Sequence, residues 1–343
     1  MNVLIIGGTG VISRAVVHVL QRRGSAVTIV NRGQTQTPLP LDVEWLRQDR
    51  RDHEAFAQLF SGRYFDAVID MVCFTEEEAH RTLDLFRDKS EQIMIVSSVA
   101  AYRRPYRTIP TKEDAERLWD NPEFPYGFEK ALMERYLQGK IHDGAPVTVV
   151  RPSLTFGPGA RNVGVLRQNA NILHRIKAGK PLIMFGDGTT PWSFSFVSDM
   201  ARAMVALLGR KEAIGQAFHL ASQERTQWND LYLEFGRIAG QEPVLEFLPA
   251  RLLYQAAPEL CMHLFFEKSH PGLFDDAKLK SLVLDFQWET SLRAGLETVV
   301  HSWEEDQLSV DGKRDMLEDR LVEIARDMTA SAFRAGDHHG GEG

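Results

Sequence analysis

Two cysteines, Cys73 and Cys261, are all that the 343 residues offer for cross-linking, so a disulfide framework is excluded and a reducing cytoplasm is the expected setting. No apolar run approaches the roughly 18 residues of a membrane span, which excludes a transmembrane helix. The chain opens directly on a strand-like run, so no signal peptide is expected. Excess positive charge is missing too, with 40 Lys and Arg against 47 Asp and Glu and a formal net charge of -7, which argues against a generic nucleic-acid surface. There is no internal repeat, and no linker rich enough in proline or glycine to separate independent domains. His338-His339 is the one histidine pair, and it belongs to a tail, Gly336 to Gly343, whose composition predicts disorder rather than a metal site. What remains, 43% hydrophobic and 25% charged residues, fits a soluble globular protein with a core for one large or two modest domains.

The chain is organised around Met1 to Gly33. Val3 to Ile6 is a run of branched apolar residues, the pattern of a parallel strand buried on both faces. It breaks at Gly7-Gly8-Thr9-Gly10. An apolar stripe at helical spacing follows, Ile12, Ala15, Val16, Val19 and Leu20, then Gly24 and a second strand-like run from Ala26 to Val30. Strand, glycine turn, helix and strand within about 30 residues make the βαβ unit that binds dinucleotides. Gly7 suits the tight turn, and Gly10 lets the backbone approach a pyrophosphate lying on the helix N-terminus beside Thr9, Val11 and Ile12. The third small position is Ser13 instead of glycine. The second strand ends in Asn31-Arg32-Gly33 without the carboxylate that would hold the ribose 2′-hydroxyl of NAD. NADP is therefore favoured over NAD, with Arg32 as the phosphate partner. The alternative is an Arg32 that stacks beside adenine or faces solvent.

Strands and helices keep alternating to residue 150: a strand at Val43 to Leu46, a helix capped by Asp52, strands at Asp66 to Val72 and Gln92 to Val96, a helix from Tyr126 to about Leu137, and a strand at Val147 to Val150. That order predicts an α/β fold with a Rossmann-type doubly wound parallel sheet, binding ligands beyond the carboxyl ends of its strands. Residues 1–155 are assigned to it, with later segments returning. Residues 156–330 form a smaller C-terminal substrate-binding lobe, with helices expected at Asn162 to Ala178 and along Leu317, Leu321, Ile324, Ala325 and Met328. That last stripe docks either on the chain's own body or on a second subunit.

Tyr126 and Lys130 lie one turn apart on one helix face. A phenol titrates near 10, too high for a base at neutral pH, and a cation one turn away lowers that value. Ser98, in the serine pair ending the preceding strand, is placed to bond the substrate oxygen that Tyr126 protonates or deprotonates. Asp70, a charge inside an apolar strand, needs a partner; a structural partner is the first expectation, contact with cofactor or substrate the second. Glu113 and Asp114 are expected to cap a helix.

These residues together resemble a family. Gly7-Gly8-Thr9-Gly10, Asp49-Arg50, Ser98 through Tyr102, Tyr126-x-x-x-Lys130, Arg151-Pro152, Phe156-Gly157-Pro158, Gly186-Asp187-Gly188 and Phe196-Val197-Ser198-Asp199 look like the extended short-chain dehydrogenase/reductases, within them the NAD-dependent epimerase/dehydratase group. The resemblance runs from Met1 to about Glu304. It implies that Ser98, Tyr126 and Lys130 are the catalytic trio, that Asp49 and Arg50 lie near adenine, and that Val72 and Cys73 line the nicotinamide side. Ser97 and Pro152, at strand ends, complete the expected cofactor set. The chain departs from relatives that remove water from nucleotide sugars, which carry an acidic pair where Val99 and Ala100 stand here. It also has Thr190-Pro191-Trp192-Ser193 where sugar-nucleotide enzymes often hold the diphosphate with an arginine. Trp192 is suited to stacking on a sugar face or base, and Arg161 is the candidate for the missing charge. The expected activity is hydride transfer with Tyr acid/base chemistry on a sugar, nucleoside or related hydroxylated small molecule. Epimerisation, elimination and net redox stay open. A homodimer is possible from the resemblance. The alternative is a catalytically silent Rossmann-fold binding, regulatory or RNA-associated protein.

Overall fold

The computed structural model describes residues 1–34 and 42–337. The chain forms two compact units: one of Met1–Thr155, Ser193–Gln223 and Leu273–Thr290, the other of Phe156–Trp192, Glu224–Gly272 and Ser291–Gly343.

The first unit is the doubly wound α/β body. Its strands β1 (Asn2–Ile6), β2 (Ala26–Asn31), β3 (Val43–Arg47), β4 (Phe65–Asp70), β5 (Ser90–Val96) and β6 (Val147–Pro152) alternate with helices α1 (Val11–Arg22), α2 (His53–Gln58), α3 (Glu76–Phe86) and α4 (Pro125–His142). Together with the strand Ala217–Leu220 they form one seven-stranded sheet in the order Ala217–Leu220, β6, β5, β4, β1, β2, β3. Every pairing is parallel. Alternation along β1 explains the two layers. Val3 and Ile5 face α1 and the helix Val197–Leu207, whereas Leu4 and Ile6 face a layer containing Phe60, Phe86, Met133 and Leu137. Burying each such side chain contributes about 1.5–3 kcal/mol. Register sets the functional edge: Ile6 is level with Val30 on one side and Asp70 on the other, and Val96 is level with Val150. The residues that follow β1, β2, β4 and β5 therefore emerge at one rim.

The second unit contains a parallel strand pair, Leu182–Phe185 with Leu245–Leu248, and helices. Its helix Asn171–Lys177 is much shorter than the one expected over Asn162 to Ala178. The cause is backbone: Gly164, Arg167 and Asn169 have φ of 92°, 53° and 52°, and the Gln168 carboxamide turns back to accept the Leu166 N–H at 3.0 Å. The final helix Gly312–Asp337 buries Glu318, Leu321, Val322 and Ala325, while Ile324 and Met328 of the expected stripe are exposed. The Glu318 carboxylate accepts from Gln168 Nε2 and the Ile183 N–H, so the helix seats on the unit's own strand pair through a polar residue. That helix includes Gly336 and Asp337, and the rest of the expected tail, with His338-His339, lies outside the described residues. No helix among the described residues is long and apolar enough to cross a membrane.

Candidate cofactor and catalytic site

The glycine turn shows what the fold itself requires. Gly7 has φ +101°, donates its N–H to Val30 O at 2.9 Å, and would place a Cβ 2.7 Å from Val72 Cγ1. Gly8, which the sequence pattern did not single out, would place one 2.2 Å from Ile29 Cγ2, so it lets the turn pack on β2. Gly10 differs. Its φ is -75°, ordinary for any residue, and an added Cβ would meet only Ser13 Oγ at 3.5 Å. No side chain caps α1 and no acid stands in its first turn, so its leading N–H groups and dipole are left for an anion. The protein's own packing does not need glycine at position 10; a pyrophosphate close to the backbone would.

Beside this turn lies a cavity of about 390 Å³ that brings together Gly7, Thr9, Asn31, Arg32, Asp49, Arg50 and Val72 from the expected set. The Asn31 carboxamide oxygen accepts the Gly33 N–H at 2.8 Å and Trp45 Nε1 at 3.0 Å, fixing the loop after β2. Its buried Nδ2 has no partner among the described residues. Asp49 is bound by Arg51, 2.7 Å from Nη2, and that bonding, with a smaller contribution from the Arg32 charge, holds its carboxyl down at about 2. Asp49 is thus neutralised by Arg51, and exposed Arg32 leaves this end of the cavity net positive. These features fit the adenosine half of a dinucleotide. Arg50 lines the cavity but spends its donors inward, on both oxygens of Asp70 at 3.1 Å, on Val72 O and on Thr82 Oγ1. Fully buried Asp70 also accepts from the Thr82 hydroxyl at 2.7 Å and the Val72 N–H at 3.0 Å, which makes it a structural partner, the first of its two expected roles.

Further along the rim, α4 meets the ends of β4 and β5. Lys130 is 2% exposed and donates Nζ to Val96 O at 2.8 Å and to Cys73 O, with the Phe74 ring 4.8 Å from the ammonium. Burial pushes its pKa below the usual lysine range. Tyr126, one turn before, is half-buried with its ring 6.2 Å from that of Phe124. Ser98 is half-buried and extended, and its Oγ accepts the Ala100 N–H at 3.1 Å. Cys73 contributes its carbonyl; burial, then the Asp70 charge, pushes its thiol well up, so it is inert packing.

Several expected contacts fall elsewhere. Ser97 is buried with its hydroxyl given to Glu134, not turned to a cofactor, because side chains alternate faces along extended backbone. Pro152 is the buried last residue of β6, whereas Val11 and Ile12 do open α1 beside the glycine turn and are part-buried there. Trp192 has no exposed face: in the second unit its ring packs on Gly272, where a Cβ would come within 2.2 Å, and lies 6.1 Å from Trp228. Arg161 is exposed in a loop of that unit. Glu113 caps no helix, since none forms in its loop; its carboxylate accepts the His219 N–H at 2.9 Å. Glu134 was missed, although it continues the Tyr126 and Lys130 face by one more turn. Among the described residues no group of His, Cys, Asp and Glu is assembled to hold a metal ion.

Sheet order, glycine turn and Tyr-x-x-x-Lys helix define a Rossmann-type dinucleotide-binding protein of the short-chain dehydrogenase/reductase kind. The model of the NAD dependent epimerase/dehydratase family matches residues 3–221, and the chain belongs to that family. It is 30% identical over 233 residues, 68% of this chain, to the 2'-dehydrokanamycin reductase of Streptomyces kanamyceticus. It is 27% identical over 243 residues, 67% of this chain, to the chloroplast stem-loop binding protein of 41 kDa b of Arabidopsis thaliana. The chain spans 65% and 61% of the length of these two relatives. Among solved structures it is similar in fold to the UDP-glucose 4-epimerase of Thermotoga maritima, with a TM-score of 0.71 and 21% identity over 90% of this chain and 100% of that one.

Proposed function

We propose that the chain is an NAD(P)-dependent enzyme of the epimerase/dehydratase family that moves a hydride to or from a carbinol carbon of a hydroxylated small molecule. The observation carrying this is Tyr126 and Lys130 on one face of α4, with the ammonium anchored on carbonyls at the ends of β4 and β5. A bound nicotinamide supplies the hydride donor or acceptor. Tyr126 passes the proton to or from the substrate oxygen, Ser98 orients that oxygen, and the positive charge of Lys130 favours the phenolate. NADP is favoured, because Arg32 stands exposed in the cavity and the lining carboxylate Asp49 is already paired with Arg51.

A substrate without a diphosphate suits buried Trp192 at the position where an arginine would be needed, and the reductase relative is named for 2'-dehydrokanamycin rather than for a nucleotide sugar. With both cysteines buried and free, we place the enzyme in a reducing cytosol. Tyr126→Phe tests the reading: turnover falls by about 10²–10⁴, the usual contribution of a general acid/base, while NADPH still binds, as followed by fluorescence titration. Unchanged turnover would refute it. Mass spectrometry of nucleotide retained through purification separates internal redox cycling, which keeps the cofactor, from net reduction, which releases it.

A second reading, a catalytically silent RNA-associated protein, is favoured by the chloroplast stem-loop binding relative. It predicts stem-loop RNA binding that survives Tyr126→Phe, and no NADPH-dependent turnover.

A further inference from the structure

Ser97 and Ser98 are neighbours with opposite surroundings. Ser98 is accessible at the rim, whereas Ser97 is 3% exposed and donates its hydroxyl to Oε1 of Glu134, itself 1% exposed. Arg151 closes on the same carboxylate, with Nε 3.0 Å from both oxygens and Nη2 on Oε2. Arg151 Nη1 donates to the Tyr102 hydroxyl at 2.6 Å and to Glu113 O at 2.8 Å, and the Tyr102 hydroxyl lies 2.7 Å from His219 Nε2. Ser97, Glu134, Arg151, Tyr102 and His219 are all buried and bonded, the condition under which such a network rigidifies its surroundings.

A buried ion pair is weak evidence for stability, because apolar residues of similar volume commonly do as well; its best-attested use is to specify one arrangement. Here the arrangement in question is the end of β5 against α4. Lys130 holds Val96 O and Glu134 holds Ser97 Oγ, so two successive turns of the helix that carries Tyr126 grip the two residues before Ser98. We infer that Ser97 and Glu134 are positioning residues that act through Ser98, fixing its Oγ relative to Tyr126 and Lys130. The inference rests on the reading in which Ser98 orients the substrate oxygen.

The Ala100 N–H that Ser98 Oγ accepts gives a readout independent of turnover. Amide exchange at Ala100 is compared in the full-length wild type, Ser97→Ala, Ser97→Thr, Ser98→Ala and the Ser97→Ala/Ser98→Ala double variant, with kcat for NADPH-linked reduction of 2'-dehydrokanamycin as the probe reaction. Ser97→Ala speeds Ala100 exchange by about tenfold, the equivalent of one ordinary hydrogen bond, while Ile93 in the middle of β5 keeps its protection. Ser97→Thr restores the wild-type rate. In the Ser98→Ala background, Ser97→Ala adds nothing, because it has lost the group it acts through. Ala100 exchange unchanged in Ser97→Ala, or faster exchange spread through β5 and α4, overturns the inference. A Ser98→Ala variant with wild-type kcat alongside an intact exchange cycle instead overturns the role of Ser98 and leaves the positioning geometry standing.

Discussion

The two ends of the first unit's rim solve opposite problems. At the β2 end, charges reach solvent and pair locally: half-buried Asp49 with exposed Arg51, and Arg32 standing in the open. At the β5 end, Ser97, Glu134, Arg151, Tyr102 and His219 are all 3% exposed or less and spend their polar atoms on one another. On the proposed function, the first end is the one that holds the cofactor. The second is bonded within itself and leaves Ser98 and Tyr126 partly open. An end that grips a cofactor gains from donors in reserve, whereas an end that aligns reacting atoms gains from having none free to wander.

The sharpest way to break this comparison is to remove one charge from each end. Glu134→Ala leaves the Arg151 guanidinium buried without its carboxylate, and the expected loss is about 3–5 kcal/mol of folding free energy. Asp49→Ala, at an exposed pair screened by water and salt, leaves the urea midpoint where it was. Equal shifts in urea titrations of the two variants would show the ends to be alike.

The glycines sharpen the same contrast within a single turn. Gly8→Ala drives a methyl into Ile29 and is expected to cost about 1–3 kcal/mol as overpacking. Gly10→Ala meets no close atom and has a permitted φ, so its melting temperature stays at the wild-type value while NADPH affinity falls. Loss of stability without loss of affinity in Gly10→Ala would remove the main physical argument for a pyrophosphate at α1.

Much of this was legible in the sequence where the information is local. The βαβ unit shows because a glycine turn sits between a branched apolar run and a 3.6-residue stripe, and Tyr126 with Lys130 shows because four residues is one turn. What stayed hidden depends on distant partners. Glu134 meets Arg151 17 positions on and Ser97 37 positions back, so nothing near it in the chain announces that it is buried. Arg50 lines the cavity, but nothing near it in the chain announces that Asp70, 20 positions away, takes up its guanidinium. The loop before Asn171 read as helix because left-handed Arg167 and Asn169 carry no local signal of the kind glycine gives. Trp192 read as a stacking platform because aromatic character is visible in sequence and burial is not.

Acid separates the ends by a different route. Burial, then the Arg151 charge, lowers the His219 pKa to about 3, and Nδ1 faces Asp275 O while Nε2 faces the Tyr102 hydroxyl. The unfolded chain takes up this proton near 6.5 and the folded chain does not, so the stabilisation is complete above 6.5 and is lost as pH falls toward 3. Between those limits the slope is about 1.4 kcal/mol per pH unit, so roughly that much is missing at pH 5.5. Glu113, whose carboxyl burial raises, works in the opposite sense, so the test is a difference. His219→Gln keeps an acceptor for Tyr102 and a donor for Asp275 without titrating, and its stability, measured by urea unfolding from pH 7 to 5, should fall less steeply than that of the wild type. Parallel curves would mean that His219 does not titrate as its surroundings dictate.

The smallest expected effect bears on the open end. Arg32 is exposed, so its attraction for a ribose 2′-phosphate is screened, and Arg32→Ser should weaken NADPH binding by about fivefold, roughly 1 kcal/mol. NADH binding should hardly change, because the residue meets no other part of the cofactor under this reading. The effect should also shrink as salt is raised, since the Debye length drops from about 10 Å at 0.1 M to about 3 Å at 1 M. Titrations of both nucleotides at two ionic strengths therefore carry an internal control. A loss shared equally by NADPH and NADH would move Arg32 from the phosphate to the adenine, and the preference for NADP would lose its only charged support at the β2 end.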